Sequence, residues 1–170
     1  MSVQIDVSGM DSSIHDKYDW AYILKNSPNL ILDARKDHKD KYDLAYIAKA
    51  GASLILNDFQ FDKYDLAYIA KACRSSNNFL HLVDTGDKDK YDLAYVGKVG
   101  VYIYSSDEAQ RDKYDLAYIA RACVSGGGCL VYYDFGRLDK YELRYVRKAG
   151  ARIQIRCYRD KYDTSYILSP

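Results

Sequence analysis

Three histidines, four cysteines and a row of aspartates are the residues of this 170-residue chain whose types could carry chemistry. His15 and His38 stand just ahead of Asp-Lys-Tyr segments, and His81 sits alone within an apolar run. Acid–base or nucleophilic catalysis needs such a group at a fixed offset from a second one. No nucleophile elbow, P-loop, HExxH or dinucleotide fingerprint occurs. Gly126, Gly127 and Gly128 lack the lysine and helix start that a phosphate cradle requires. Cys73, Cys123, Cys129 and Cys157 show no CxxC or Cys/His spacing, so free thiols in a reducing cytoplasm are expected. Asp33, Asp58, Asp84, Asp107 and Asp134 each end or follow an apolar run. Carboxylates on neighbouring strands, ~4.8 Å apart, repel unless neutralised. The loops lack the glycine-rich pattern of calcium-binding β-helix turns, so hydrogen bonds from loop N–H groups are the expected answer. These patterns predict no enzyme activity, no cofactor and no metal.

Recognition chemistry is better represented. The chain holds 19 tyrosines against four phenylalanines and one tryptophan. Its net charge of +1 gives no global attraction to nucleic acid or membrane. Residues 137–161 nevertheless carry nine basic side chains against three acidic ones. Arg144, Arg147, Arg152 and Arg159 are the candidates there for an anionic partner, nucleic acid or acidic protein. Tyrosine and arginine are also the chemistry of interface hot spots.

The elements that position these residues follow from an internal repeat. A Lys-Tyr-Asp/Glu core begins at Lys17, Lys41, Lys63, Lys90, Lys113, Lys140 and Lys161, at spacings of 24, 22, 27, 23, 27 and 21 residues. An aspartate precedes each lysine and an acid follows two positions after it, an N-cap with a favourable charge in the first turn of a helix. The helices are expected to stop at Gly51, Gly100 and Gly150, or at Cys73 and Cys123 in the same slot. Between them, short apolar runs at 3–7, 30–33, 53–57, 79–83, 101–105, 130–133 and 152–156 read as strands. Strand, helix, strand in tight alternation requires parallel strands with helical crossovers. The predicted fold is α/β, a right-handed β/α solenoid of about seven 21–27-residue units, sheet on one face and helices on the other. Residues 1–170 form one repeat domain, beginning on a strand and closing with a polar-adapted capping helix at about 160–168, where Thr164 and Ser165 replace Leu and Ala.

Two tyrosines per unit, four residues apart, account for fourteen of the nineteen and are expected to pave the grooves between helices, the alternative being an outer face that binds a partner or assembles laterally. Strand residues that alternate with the buried leucines should line the free sheet face, where His81, Tyr102, Tyr104, Tyr133, Gln154 and Arg156 are the candidate partner-binding positions. This architecture resembles the leucine-rich-repeat, ribonuclease-inhibitor-like class, although the consensus L-x-x-L-x-L-x-x-N is absent. The resemblance implies a non-enzymatic protein-interaction module, such as an inhibitor, antitoxin-like protein or adaptor, binding through the sheet face. The alternatives are a self-assembling structural repeat or a binder of an anionic partner. A protein is the expected partner, with no membrane association and with homodimerisation through terminal strand edges as a further option.

Overall fold

A computed structural model gives the fold over residues 4–170. Seven strands form one sheet: β1 (Met10–Asp11), β2 (Leu30–Asp33), β3 (Ala52–Asn57), β4 (Leu80–Val83), β5 (Val101–Ser106), β6 (Cys129–Asp134) and β7 (Arg152–Ile155). All pair in parallel, in sequence order. Helices α1 (Lys17–Asn26), α2 (Lys41–Lys49), α3 (Lys63–Ser75), α4 (Lys90–Gly97), α5 (Lys113–Ser125) and α6 (Lys140–Lys148) supply the crossovers, and α7 (Lys161–Leu168) follows β7. This is the α/β strand–helix repeat that the spacing predicts.

Each helix starts where the aspartate stands. Asp16, Asp40, Asp62, Asp89, Asp112, Asp139 and Asp160 are extended N-caps whose side chains accept the backbone N–H three residues on. Gly51, Gly100 and Gly150 follow α2, α4 and α6 at φ of 122°, 97° and 111°, a left-handed turn that only glycine adopts cheaply. The expected stops at Cys73 and Cys123 are corrected: α3 and α5 run on to Ser75 and Ser125, and both thiols are buried inside the helices. No glycine breaks those two helices, so they continue until the lengthened loop begins.

Leu44, Ile47, Leu66, Ile69, Leu116 and Ile119 pack against Leu54, Leu80, Leu82, Ile103 and Leu130 in one continuous core. The helices are locked side by side by the repeat itself. The first-turn lysine of one unit reaches the first-turn acid of the next, as in Lys41 Nζ to Asp65 Oδ1 at 2.6 Å and Lys90 Nζ to Asp115 Oδ1 at 2.9 Å. Lys113 has no such partner among the described residues, because Glu142 in that position turns its carboxylate back onto the Asp139 N–H in a capping box. The earlier tyrosine of each unit meets the later tyrosine of the next edge to face, from Tyr18 on Tyr46 through to Tyr141 on Tyr166. Ring centroids lie 5.5–5.9 Å apart at 70–76°. The paving expected of these rings is therefore real, and the rings remain partly exposed.

The N-terminal strand expected at 3–7 is corrected. Val3 lies outside the described residues, residues 4–9 are not strand, and the first strand is the two-residue β1. Residues 4–9 instead form a strap over the sheet face that the helices leave free, where Ile5 and Val7 join a small apolar cluster and leave water. Among the described residues no helix is long and apolar enough to cross a membrane.

Candidate functional site

Alternation along the strands sends Leu80, Leu82, Val101, Ile103, Leu130 and Tyr132 to the helix side, and His81, Val83, Tyr102, Tyr104, Val131 and Tyr133 to the other. The sequence places that second row correctly, but its exposure is corrected. Ile5 closes over Ile55, Val83, Tyr104, Val131 and Tyr133 in a second, smaller core. Tyr133 is fully buried, its hydroxyl accepting the Asp6 N–H at 2.8 Å, and Arg156 pairs with the Asp6 carboxylate at 2.5 Å. Tyr104 and His81 are buried, joined by a 2.8 Å hydrogen bond between the hydroxyl and Nδ1. Tyr102, stacked on His81, and Gln154 are half-buried. Six candidates are thus brought to one face, and the chain's own strap lies over it.

Burial lowers the His81 pKa from 6.5 to about 4, so the ring is neutral in the folded protein. The unfolded chain takes up a proton near 6.5, and between the two values it binds more protons than the native state. Stability is therefore lost as pH falls through that window, by up to about 3 kcal/mol. Urea unfolding measured from about pH 7 down to about pH 4 should show this loss, and His81→Gln should flatten it. An unchanged slope in the variant would assign the acid sensitivity elsewhere.

The arginines expected to meet an anionic partner do not form one free patch. Arg159 is bound to Asp134 through Nε at 2.7 Å and Nη2 at 2.9 Å. Arg144 holds the carbonyls of Tyr166 and Pro170 and the Ser169 hydroxyl, and Arg147 has a buried Nε without a hydrogen-bond partner among the described residues. Arg144 stands where the earlier repeats carry alanine, and Arg147 where α2, α3 and α5 do. Arg152 alone of the four is exposed.

The aspartate row alternates its partners. Asp33, Asp84 and Asp134 pair with Arg35, Arg111 and Arg159. Asp58 and Asp107 instead accept hydroxyls, from Thr85 at 2.5 Å and Tyr132 at 2.5 Å. Loop N–H groups complete each site, as the sequence predicts, from Arg35, Thr85, Gly86, Phe135 and Gly136 among others. Among the described residues no cation pairs with Asp58, and burial raises its pKa.

At the carboxyl ends of β1–β3 this row opens into a cleft of about 460 Å³ lined by Gly9, Asp11, Asp33, Arg35, Lys36 and Asn57. Gly9 brings the strap against β2, where a Cβ would collide with the Ile31 carbonyl. Arg35 is fixed by Asp33 through Nε at 3.0 Å and Nη2 at 2.8 Å, and its remaining N–H groups have no partner among the described residues. Burial pushes the Asp33 carboxyl up, but hydrogen bonds and charge from Arg35 outweigh it and hold the group below its usual range. Asp11, also held low by Ser13, spends Oδ1 on the Ser13 N–H and hydroxyl. Sequence reasoning missed this cleft. Its available signal was the Arg35-Lys36 doublet two residues after the strand-end Asp33, where α/β sheets bind ligands.

No family model and no curated protein matches the chain. Among solved structures it is similar to the crystal structure of a mandelate racemase/muconate lactonizing protein from Herpetosiphon aurantiacus. The identity is 11% over 86% of this chain and 54% of that one, at a TM-score of 0.30. This chain thus spans about half the length of that protein. A likeness of that size carries no argument about activity. Nothing among these matches supports a protein-interaction function, and the strap occupies the face on which that function was expected. The sheet-face interaction module is therefore withdrawn.

Proposed function

We propose that this protein binds a small zwitterionic molecule, without transforming it, in the cleft at the carboxyl ends of β1–β3. One observation carries the reading: a cavity of ligand size at the strand ends is lined by charges of both signs. Arg35 and Lys36 suit a carboxylate and Asp11 an ammonium group, while Asn57 offers a neutral amide to either end. A non-catalytic role is supported by the state of the reactive groups. The Cys73 and Cys123 thiols are pushed up to about 12 by burial, His81 is neutral and sealed, and the Asp33 carboxylate is engaged by Arg35. The four free cysteines support a reducing, cytoplasmic setting.

Calorimetry with free amino acids, dicarboxylates, diamines and neutral sugars tests the proposal. Amino acids should bind, Arg35→Met should weaken binding about tenfold or more, roughly 1.4 kcal/mol, and Asp11→Asn should weaken it similarly. Equal affinity for Arg35→Met, or a preference for dicarboxylates alone, would sink the reading.

A further inference from the structure

The helix face carries a chemistry that the cleft does not use. Six tyrosine pairs join the seven helices edge to face, all between consecutive repeats. In every pair the earlier ring is more than half exposed and the later one about two-fifths exposed, so an oxidant can reach them and the rings have room to turn. Side chains that lose an electron more readily are withdrawn from this face. Trp20 is fully buried with its indole N–H bonded to the Ser12 carbonyl, and Cys73 and Cys123 are buried among the helices. A lysine ammonium lies over the tyrosines, as Lys63 does at 5.4 Å from Tyr64 and 5.7 Å from Tyr95. A nearby cation opposes formation of a radical cation, so electron loss must be coupled to departure of the phenolic proton into water.

We propose that this face is a site of oxidative modification, at which a haem peroxidase supplied with hydrogen peroxide converts the edge-to-face pairs into dityrosine bridges between neighbouring repeats. Each phenol of a pair gives one electron to the peroxidase and one proton to water. The two tyrosyl radicals join through a carbon–carbon bond between their ortho carbons, and the hydrogen on each joined carbon moves to its phenolic oxygen. Two phenols thus lose two electrons and two protons, which reduce one hydrogen peroxide to two waters. Each bridge closes a loop of one repeat and restricts the unfolded chain as a disulfide does, so the bridged protein should unfold at higher denaturant concentration.

The test treats dilute folded protein with a haem peroxidase and hydrogen peroxide, then maps bridged peptides by mass spectrometry. Bridges such as Tyr64–Tyr95 and Tyr91–Tyr118 should dominate over any that use Tyr158, which is 91% exposed but stands in none of the pairs. Tyr64→Phe combined with Tyr95→Phe keeps both rings and should delete that one bridge while the others persist. In concentrated urea the preference for adjacent-repeat pairs should vanish. Bridges led by Tyr158, bridges chiefly between molecules, or the same pattern in urea would each overturn the proposal.

Discussion

Arg111→Ala is expected to lower the free energy of unfolding by about 3–5 kcal/mol, the loss typical of a buried charge stripped of its partner. The Asp84 side chain is wholly inaccessible and Arg111 nearly so, with Nε at 2.6 Å and Nη2 at 2.8 Å from the carboxylate oxygens. Ser105 and the Gly86 N–H satisfy part of the carboxylate, but neither carries a compensating charge. Arg111 also donates to the Lys88 carbonyl, tying two loops together. Asp134 and Arg159 repeat the arrangement two units later, down to a bond from Arg159 to the Leu138 carbonyl. Urea unfolding measures the loss. Replacing both partners, as in Asp84→Leu with Arg111→Leu, should recover much of it, because two apolar side chains leave no charge to desolvate. A loss below about 1 kcal/mol, the range of an exposed ion pair, would show that the site is wetter than its geometry.

Tyr133→Ala should cost about 3–5 kcal/mol, the range for deleting a large buried aromatic side chain. It should also release the strap. The Tyr133 ring is the floor on which Ile5 rests, its hydroxyl holds the Asp6 N–H, and Arg156 lies 5.4 Å above its centroid. Tyr133→Phe keeps the floor and loses one hydrogen bond, so it should cost about 1 kcal/mol. Hydrogen exchange reports the strap separately from global stability: amides of residues 4–9 should lose protection in the alanine variant. If they stay protected while global stability drops, the strap is held by something other than this ring.

The difference between these sites and the repeat explains what was legible in the residues. The Asp-Lys-Tyr-Asp segment encodes its own cap within one copy, and a lateral ion pair and a ring contact with the adjacent copy. Such contacts recur from unit to unit, with the Lys113 ion pair the exception, so period and residue type were enough to predict strand, helix, parallel order and tyrosine paving. The same reasoning placed His81, Tyr102, Tyr104 and Tyr133 on one sheet face through strand alternation. It could not see that the face is covered, since the strap pairs Asp6 with Arg156 across 150 residues and leaves no periodic trace. The contacts of Arg144 and Arg159 were hidden for a related reason. Charge along a sequence reports composition, whereas Arg159 is spent on Asp134 and Arg144 on the last turn of α7 and the residues beyond it.

By itself, then, the sequence determined a seven-unit parallel α/β repeat, its helix starts, its glycine stops and the two faces of its sheet, because each depends on neighbours within one repeat length. Tertiary structure alone decided that a strap covers the second sheet face, which aspartates receive arginine and which receive hydroxyls, and where a cleft remains. Those outcomes depend on contacts between segments far apart in the chain, where burial and countercharge are set by whatever else arrives in the same space.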